Sequence, residues 1–313
     1  MRRKLIRLFL LACGLAILTA VAATQAFAAP LTGCTDYCHE PTDKGMDKRL
    51  KPLNPSQCID CHLDEQREWD FSAHSYTAKK VKAHLPATDH KVSECGGCHS
   101  AEYILAPADH KPQAWEQLNA GITCSMCHLD HSQGERPGDR KLLDCETCHS
   151  GLARGFGLGA YFVFNPQAEV HSGIAPAFLE TQSVPNPVKA HTCTNCHMAN
   201  LGQGRRSHSL SAKLPDSPEF TCGQIGCHTG KGEQYTDLAR GWQREIHRTL
   251  QQLRSVVEAK KQFTAGNPAN LKHYQIAKYE FDMVLGDLSF GVHNIDFARH
   301  LLADARQHLS EIK

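Results

Sequence analysis

Apolar positions fall into three regimes along the 313 residues. Leu8 to Ala23 is an almost unbroken apolar run behind Arg2, Arg3, Lys4 and Arg7. It is followed by Ala26-Phe27-Ala28, and together these features predict an exported chain whose signal segment, 1–28, is removed. From 29 to 230, segments rich in Pro, Gly, Asp and Ser, such as 84–90 and Pro185-Asn186-Pro187, read as loops between short helical turns, with almost no sheet. From 231 onward apolar residues recur at steps of three and four, the period of an amphipathic helix. The first series is Tyr235, Leu238, Trp242, Ile246, Leu250, Leu253, Val257, and Gly266-Asn267-Pro268 ends it. A second runs Tyr274, Ala277, Phe281, Val284, Leu288. The third, Ala298, Leu301, Leu302, Ala305, Leu309, Ile312, follows an N-cap expected at Asn294.

The expected fold is therefore mainly α with extensive loops: a cofactor-packed region over 29–230, then a three-helix C-terminal region over 231–313. The helical stripes form a small core on the rest of the chain, and a homodimer through the same helices stays open beside that reading.

Composition makes the loop-rich region informative. Fifteen cysteines, twenty histidines, 7% aromatic residues and a mean hydropathy of −0.41 make a poor recipe for a self-sufficient core. Cys13 lies in the leading apolar run, and every other cysteine belongs to a pair that ends in histidine. The pairs are Cys34-x3-Cys38-His39, Cys58-x2-Cys61-His62, Cys95-x2-Cys98-His99, Cys124-x2-Cys127-His128, Cys145-x2-Cys148-His149, Cys193-x2-Cys196-His197 and Cys222-x4-Cys227-His228.

Two cysteines three apart with histidine next is the signature of covalent c-type haem attachment. Positions i, i+3 and i+4 share one face of a helical turn, so both thiols reach the vinyl groups on one haem edge while the histidine reaches the iron. Disulfides would give no reason for the trailing histidine, zinc would not need it at every pair, and iron–sulfur clusters favour other spacings. In the first and last motifs the longer spacers must bulge to bring the thiols back into phase. Seven covalent haem c groups are expected, the porphyrins replacing the missing apolar core.

Seven histidines are spent as proximal ligands, and thirteen remain for at most seven distal places. The candidates are His74, His90, His110, His131, His171, His191, His208 and, in the helical tail, His293 in the turn Gly291-Val292-His293-Asn294. His84 ranks lowest, and methionine is a poor alternative because Met126 and Met198 lie within or beside motifs. Histidine on both faces of each iron leaves no open position, which favours electron transfer over substrate chemistry. First cysteines are 24, 37, 29, 21, 48 and 29 residues apart. The shortest step, 21, predicts that haems four and five are near neighbours at the middle of the array.

Loss of the four leading cations leaves 30 Lys+Arg against 33 Asp+Glu, a formal charge of −3. That balance disfavours nucleic acid and anionic membrane surfaces. No later stretch has the roughly 18 continuous apolar residues of a membrane span. A periplasmic location is expected.

Several short segments resemble the multihaem cytochrome superfamily: Glu68-Trp-Asp-Phe-Ser-Ala-His74, Gly121-Ile-Thr-Cys124-x2-Cys127-His128, His191-Thr-Cys193-x2-Cys196-His197-Met198 and Asp287-Leu-Ser-Phe-Gly-Val-His293-Asn294. That group includes pentahaem and octahaem nitrite reductases, hydroxylamine oxidoreductase and its tetrahaem electron acceptor. The x4 motif and the placing of His191 two residues before Cys193 are similar to class III tetrahaem cytochromes. The resemblance implies that His74 and His293 are axial ligands and that haems stack in parallel and perpendicular pairs. No motif here ends in lysine, as the active-haem motif of pentahaem nitrite reductase does, and no tyrosine can be nominated for a crosslink to a catalytic haem.

The expected function is a periplasmic heptahaem relay with no catalytic residues, passing electrons from a quinol dehydrogenase or another cytochrome to a terminal reductase. The alternative is a reductase or oxidoreductase of small nitrogen or sulfur oxyanions with one five-coordinate haem.

Overall fold

The computed structural model describes residues 62–84, 91–128, 144–150, 165–176, 179, 181–187, 193–212, 222–224 and 226–313. Outside them lie the 1–28 segment, Cys34, Cys38, His39, Cys58, Cys61, His90, His131 and His191. The described part is helical with one small hairpin.

The first half is a string of short helices: α1 (Leu63–Asp70), α2 (Thr77–His84), α3 (Val92–His99), α4 (Ala101–Leu105), α5 (Cys124–Cys127), α6 (Glu146–His149), α7 (Gln167–Ser172) and α8 (Cys193–His197). Four of these, α3, α5, α6 and α8, are attachment motifs wound into a single turn or little more. The x4 motif is not a helix: His228 N–H donates back to the Cys222 carbonyl at 3.0 Å, and Gly226 takes φ 88°.

Apolar packing is thin here. Ala78, Val92 and Leu118 are buried, with Tyr103 and Trp115 packed on them. Backbone contacts do much of the rest. Gly121 lies so close to the His74 and Ser75 carbonyls that a β-carbon would collide with them. Beside it, Ile122 N–H donates to His74 O at 2.9 Å, and Trp69 Nε1 donates to Ile122 O at 2.9 Å. The hairpin β1 (Asn200–Gly202) and β2 (Arg205–Arg206) is antiparallel, and Arg205 pairs with Asp64 at 3.4 Å on α1.

The main core belongs to the tail: α9 (Gly232–Lys260), α10 (Pro268–Asp287) and α11 (Ile295–Glu311). Ile246, Leu250, Leu253 and Val257 from α9 meet Ile276, Ala277, Phe281 and Val284 from α10 and the whole expected α11 stripe from Ala298 to Ile312. Asn294 caps α11 as expected, accepting from Phe297 N–H at 3.1 Å. Two stripe positions depart from expectation. Leu238 is 45% exposed, the buried face of the first turns running through Thr236 and Ala239. Leu288 is 66% exposed because α10 stops at Asp287 and Leu288 turns the chain at φ 60°.

The tail does not close its core alone. Val170 of α7 and Leu179 are buried in the same cluster. Polar ties follow the same route: Gln167 Nε2 to Gly286 O at 3.1 Å, Asn294 Nδ2 to Val184 O at 2.9 Å, and Asn186 Nδ2 to His293 O at 2.6 Å. Segment 165–187 thus seats the α10–α11 turn, and His293 with it, against the histidine-bearing half.

Candidate haem-ligand layer

The attachment-motif histidines and several distal candidates converge in the first half and at the α10–α11 turn. Ring centroids of His74 and His149 are 6.0 Å apart with planes at 79°. Those of His128 and His208 are 5.9 Å apart, and those of His197 and His293 are 6.1 Å apart. His293 also has His171 at 6.0 Å on another side. A metal–imidazole bond of about 2.0 Å plus a ring radius of about 1.1 Å puts two centroids roughly 6.2 Å apart across one ion. Each of these pairs has that spacing, and three contain an attachment-motif histidine.

The ring nitrogens agree with the same use. His197 Nδ1 lies 3.2 Å from Leu210 O, and His208 Nδ1 lies 2.9 Å from Arg206 O. A carbonyl can only accept, so both rings carry their proton on Nδ1 and offer Nε2 to a metal. His293 is held more firmly, with Nδ1 2.5 Å from Asp287 Oδ1. Asp287 is 2% exposed, and its other oxygen accepts from Ser289 Oγ. This is the carboxylate–histidine arrangement that orients a metal ligand and raises its basicity. With Nδ1 engaged, His293 can serve one iron through Nε2, so His171 and His197 compete for it.

Electrostatics mark the layer as one that holds neutral imidazoles. Burial, then the neighbouring His149, His197 and His99 rings, push His74 down to about 4. Burial and then His149 push His99 below its ordinary value, and burial leads the same downward shift in His149 and His197. The Nδ1 atoms of His74 and His99 are buried without a hydrogen-bond partner among the described residues. Neutral nitrogens that are costly to protonate suit coordination to iron.

The thiols follow. Cys193 is pushed up, first by its hydrogen bond with Cys145, and Cys196 is pushed up by burial and then by the Cys222 and Cys227 thiols. Motifs five and six therefore meet through Cys145 and Cys193, and motif seven lies near enough to six, and three near enough to five, for their groups to influence one another electrostatically. The residues between motifs four and five, 129–143, lie outside the described set. The described contacts centre on motif five.

Other expected residues sit apart. His110 is exposed on the turn Ala108–His110 beside Asp109, at 3.4 Å. His62 is exposed near Glu65, at 3.9 Å. His228 stacks flat on Tyr235, with centroids 3.4 Å apart. In the tail, His247 is exposed against Phe290 at 5.6 Å, His300 bonds Thr181 at 3.0 Å and His273 bonds His308 at 2.9 Å, while His293 is the one whose ring lies against motif and candidate histidines. Four supporting residues had no sequence signal of their own: Asp287, Asn186, Tyr235, and Glu68, whose carboxylate accepts from His208 N–H at 2.5 Å. Glu68 and Asp287 stand in the family-like segments, yet only the fold shows which histidine each supports.

The described motifs share paired cysteines and a following histidine, and those of His128, His149 and His197 add a half-buried imidazole at the spacing of an axial pair, a set that fits haem c. Haem iron supplies a one-electron redox couple when bound. The paired cysteines would tether it by thioethers, and rings such as His197 and His293, held through Nδ1, would present Nε2 to the iron.

No protein-family model matches the chain, and no curated protein matches it. Two solved structures do. The outer cell wall cytochrome OcwA aligns with a TM-score of 0.66 at 23% identity, over 78% of this chain and 50% of that one. An undecahaem cytochrome from the S-layer of Carboxydothermus ferrireducens aligns with a TM-score of 0.60 at 19% identity, over 89% of this chain and 50% of that one. The chain spans about half the length of each. The chain thus has the fold of a multihaem cytochrome, mainly helical and loop-rich, ending in three packed helices.

Proposed function

We propose that the chain is a heptahaem c-type cytochrome of the periplasm that relays electrons between a donor, a quinol dehydrogenase or another cytochrome, and a terminal reductase. The observation that carries this is the set of imidazole pairs at 5.9–6.1 Å, each pair joining a motif histidine to one far away in sequence. Histidine on both sides of an iron keeps it six-coordinate, so it exchanges electrons without binding substrate. Tunnelling falls steeply with distance, and the hydrogen bond between Cys145 of motif five and Cys193 of motif six supports neighbouring cofactors along the relay.

All seven motifs are assigned to haem, including Cys34/Cys38/His39 and Cys58/Cys61/His62. His90, His110, His131 and His191 complete the proposed pool of distal ligands. The 1–28 segment is the export signal, 29–230 the haem-binding domain and 231–313 the helical region. Among the described residues no helix is long and apolar enough to cross a membrane. Acidic haem edges would dock redox partners by charge.

Cyanide binding and ferric spin state on purified holoprotein test the relay against its rival. The relay predicts low-spin ferric haems that do not take up cyanide and no turnover of nitrite or hydroxylamine. A stoichiometric high-spin haem that binds cyanide and reduces either substrate favours the oxyanion reductase.

A further inference from the structure

Helix α10 carries an ionisable residue where its apolar stripe should continue. Glu280 lies between Ala277 and Val284 on the buried face and is 0% exposed. No N–H or hydroxyl group among the described residues donates to either carboxylate oxygen, and the one group in hydrogen-bond reach is the Asp304 carboxylate. A carboxylate so placed is costly unless it is protonated, paired with a cation or bound to a metal. Burial, and then the Asp304 carboxylate beside it, push Glu280 up to about 10. A second acid is thus the neighbour where a cation would be expected.

Asp304 is joined there by a further side chain of metal-ligand type. Donor atoms of Glu280, Asp304 and His308 all lie within 4.8 Å of one another. Ligand atoms about 2.0–2.2 Å from a tetrahedral ion stand roughly 3.3–3.6 Å apart, so side-chain rotations that move the donors by about an ångström close this set on a metal. A fourth donor adjoins it, His273 Nδ1 lying 2.9 Å from His308 Nδ1. His273 and Glu280 are seven apart on α10, and Asp304 and His308 are four apart on α11. Both spacings keep the pair on one helix face. His273, Asp304 and His308 are half-buried, which gives an ion a way in while Glu280 closes the floor.

We propose that Glu280, Asp304, His308 and His273 bind a divalent first-row transition ion of the zinc type, stapling α10 to α11. Two carboxylates and two imidazoles suit zinc or its neighbours; the all-oxygen sets of calcium and magnesium do not contain imidazole. The proposal does not depend on the haem assignment.

The test is isothermal titration of chelator-dialysed holoprotein with ZnCl2, alongside thermal unfolding followed by helix signal and zinc-edge X-ray absorption of the loaded protein. Wild type should bind one strong equivalent with mixed nitrogen and oxygen ligation, and zinc should raise its Tm. Glu280→Gln and Asp304→Asn should each weaken that equivalent by more than about tenfold. The control His247→Ala, an exposed α9 histidine, should leave it intact. Absence of a strong equivalent in wild type would overturn the proposal. So would zinc affinity equal to wild type in a folded Glu280→Gln protein, in which case a shared proton between Glu280 and Asp304 fills the site. Should Glu280→Gln fail to fold, the half-buried His308→Ala and the wild-type absorption spectrum decide.

Discussion

At the residue scale, the chemistry rests on which ring nitrogen each histidine leaves free. Asp287 holds His293 by Nδ1, and a carboxylate there raises the electron donation of Nε2 and favours ferric iron. Asp287→Asn should therefore raise the midpoint potential of one haem by up to roughly 59 mV, the shift for a tenfold change in a one-electron couple. A spectroelectrochemical titration resolves it, and a curve superimposable on wild type would remove Asp287 from the account. His74→Ala should convert one haem from low to high spin in the ferric electron paramagnetic resonance spectrum, with the cysteine attachments intact. The paired cysteines and the histidine after each stand out in the sequence because the proposed thioether attachment imposes a local spacing. Asp287 does not. It lies six residues before His293, and the two meet only because Leu288, Phe290 and Gly291 take φ of 60°, 52° and 96° and coil the chain back.

At the scale of elements, the short motif helices have little apolar packing of their own and depend on close backbone approaches. Gly173 ends α7 at φ 71°, and a β-carbon there would strike the Val184 carbonyl and crowd Asn294 Nδ2, 2.7 Å away. Gly173→Ala should cost about 1–3 kcal/mol from backbone strain alone. It should also loosen the His293 turn, seen as lower denaturant midpoint and broadened spectra of one haem. Leu301 in α11 is 0% exposed, and Leu301→Ala should cost about 2–5 kcal/mol in chemical unfolding. The three tail helices were legible from their apolar period and the Asn294 cap. That Val170 and Leu179 complete their core was not, because a six-residue helix and a lone leucine show no period. Nor could periodicity flag Glu280, whose position in the stripe looks like an interruption until its neighbours on α11 are known.

For the whole molecule, contacts between distant segments set which motifs adjoin. Among the described residues His99 of motif three and His197 of motif six both lie near His149 of motif five, while residues 129–143, between motifs four and five, lie outside the described set. Segments far apart in the chain supply the partners: Glu68 reaches His208, and His74 pairs with His149. The proposed relay path is set by these long-range contacts, so truncating the tail before α10 should remove His293 and disturb haems attached as far back as Cys193. The central claim is that every motif carries a haem and that imidazole pairs close the iron spheres. Pyridine haemochrome quantitation of the purified holoprotein, read with its ferric spin state, tests it most directly. The account predicts seven haems per chain, low-spin in the ferric form; fewer than seven in fully processed protein, or a population of high-spin iron amounting to one haem or more, would contradict it.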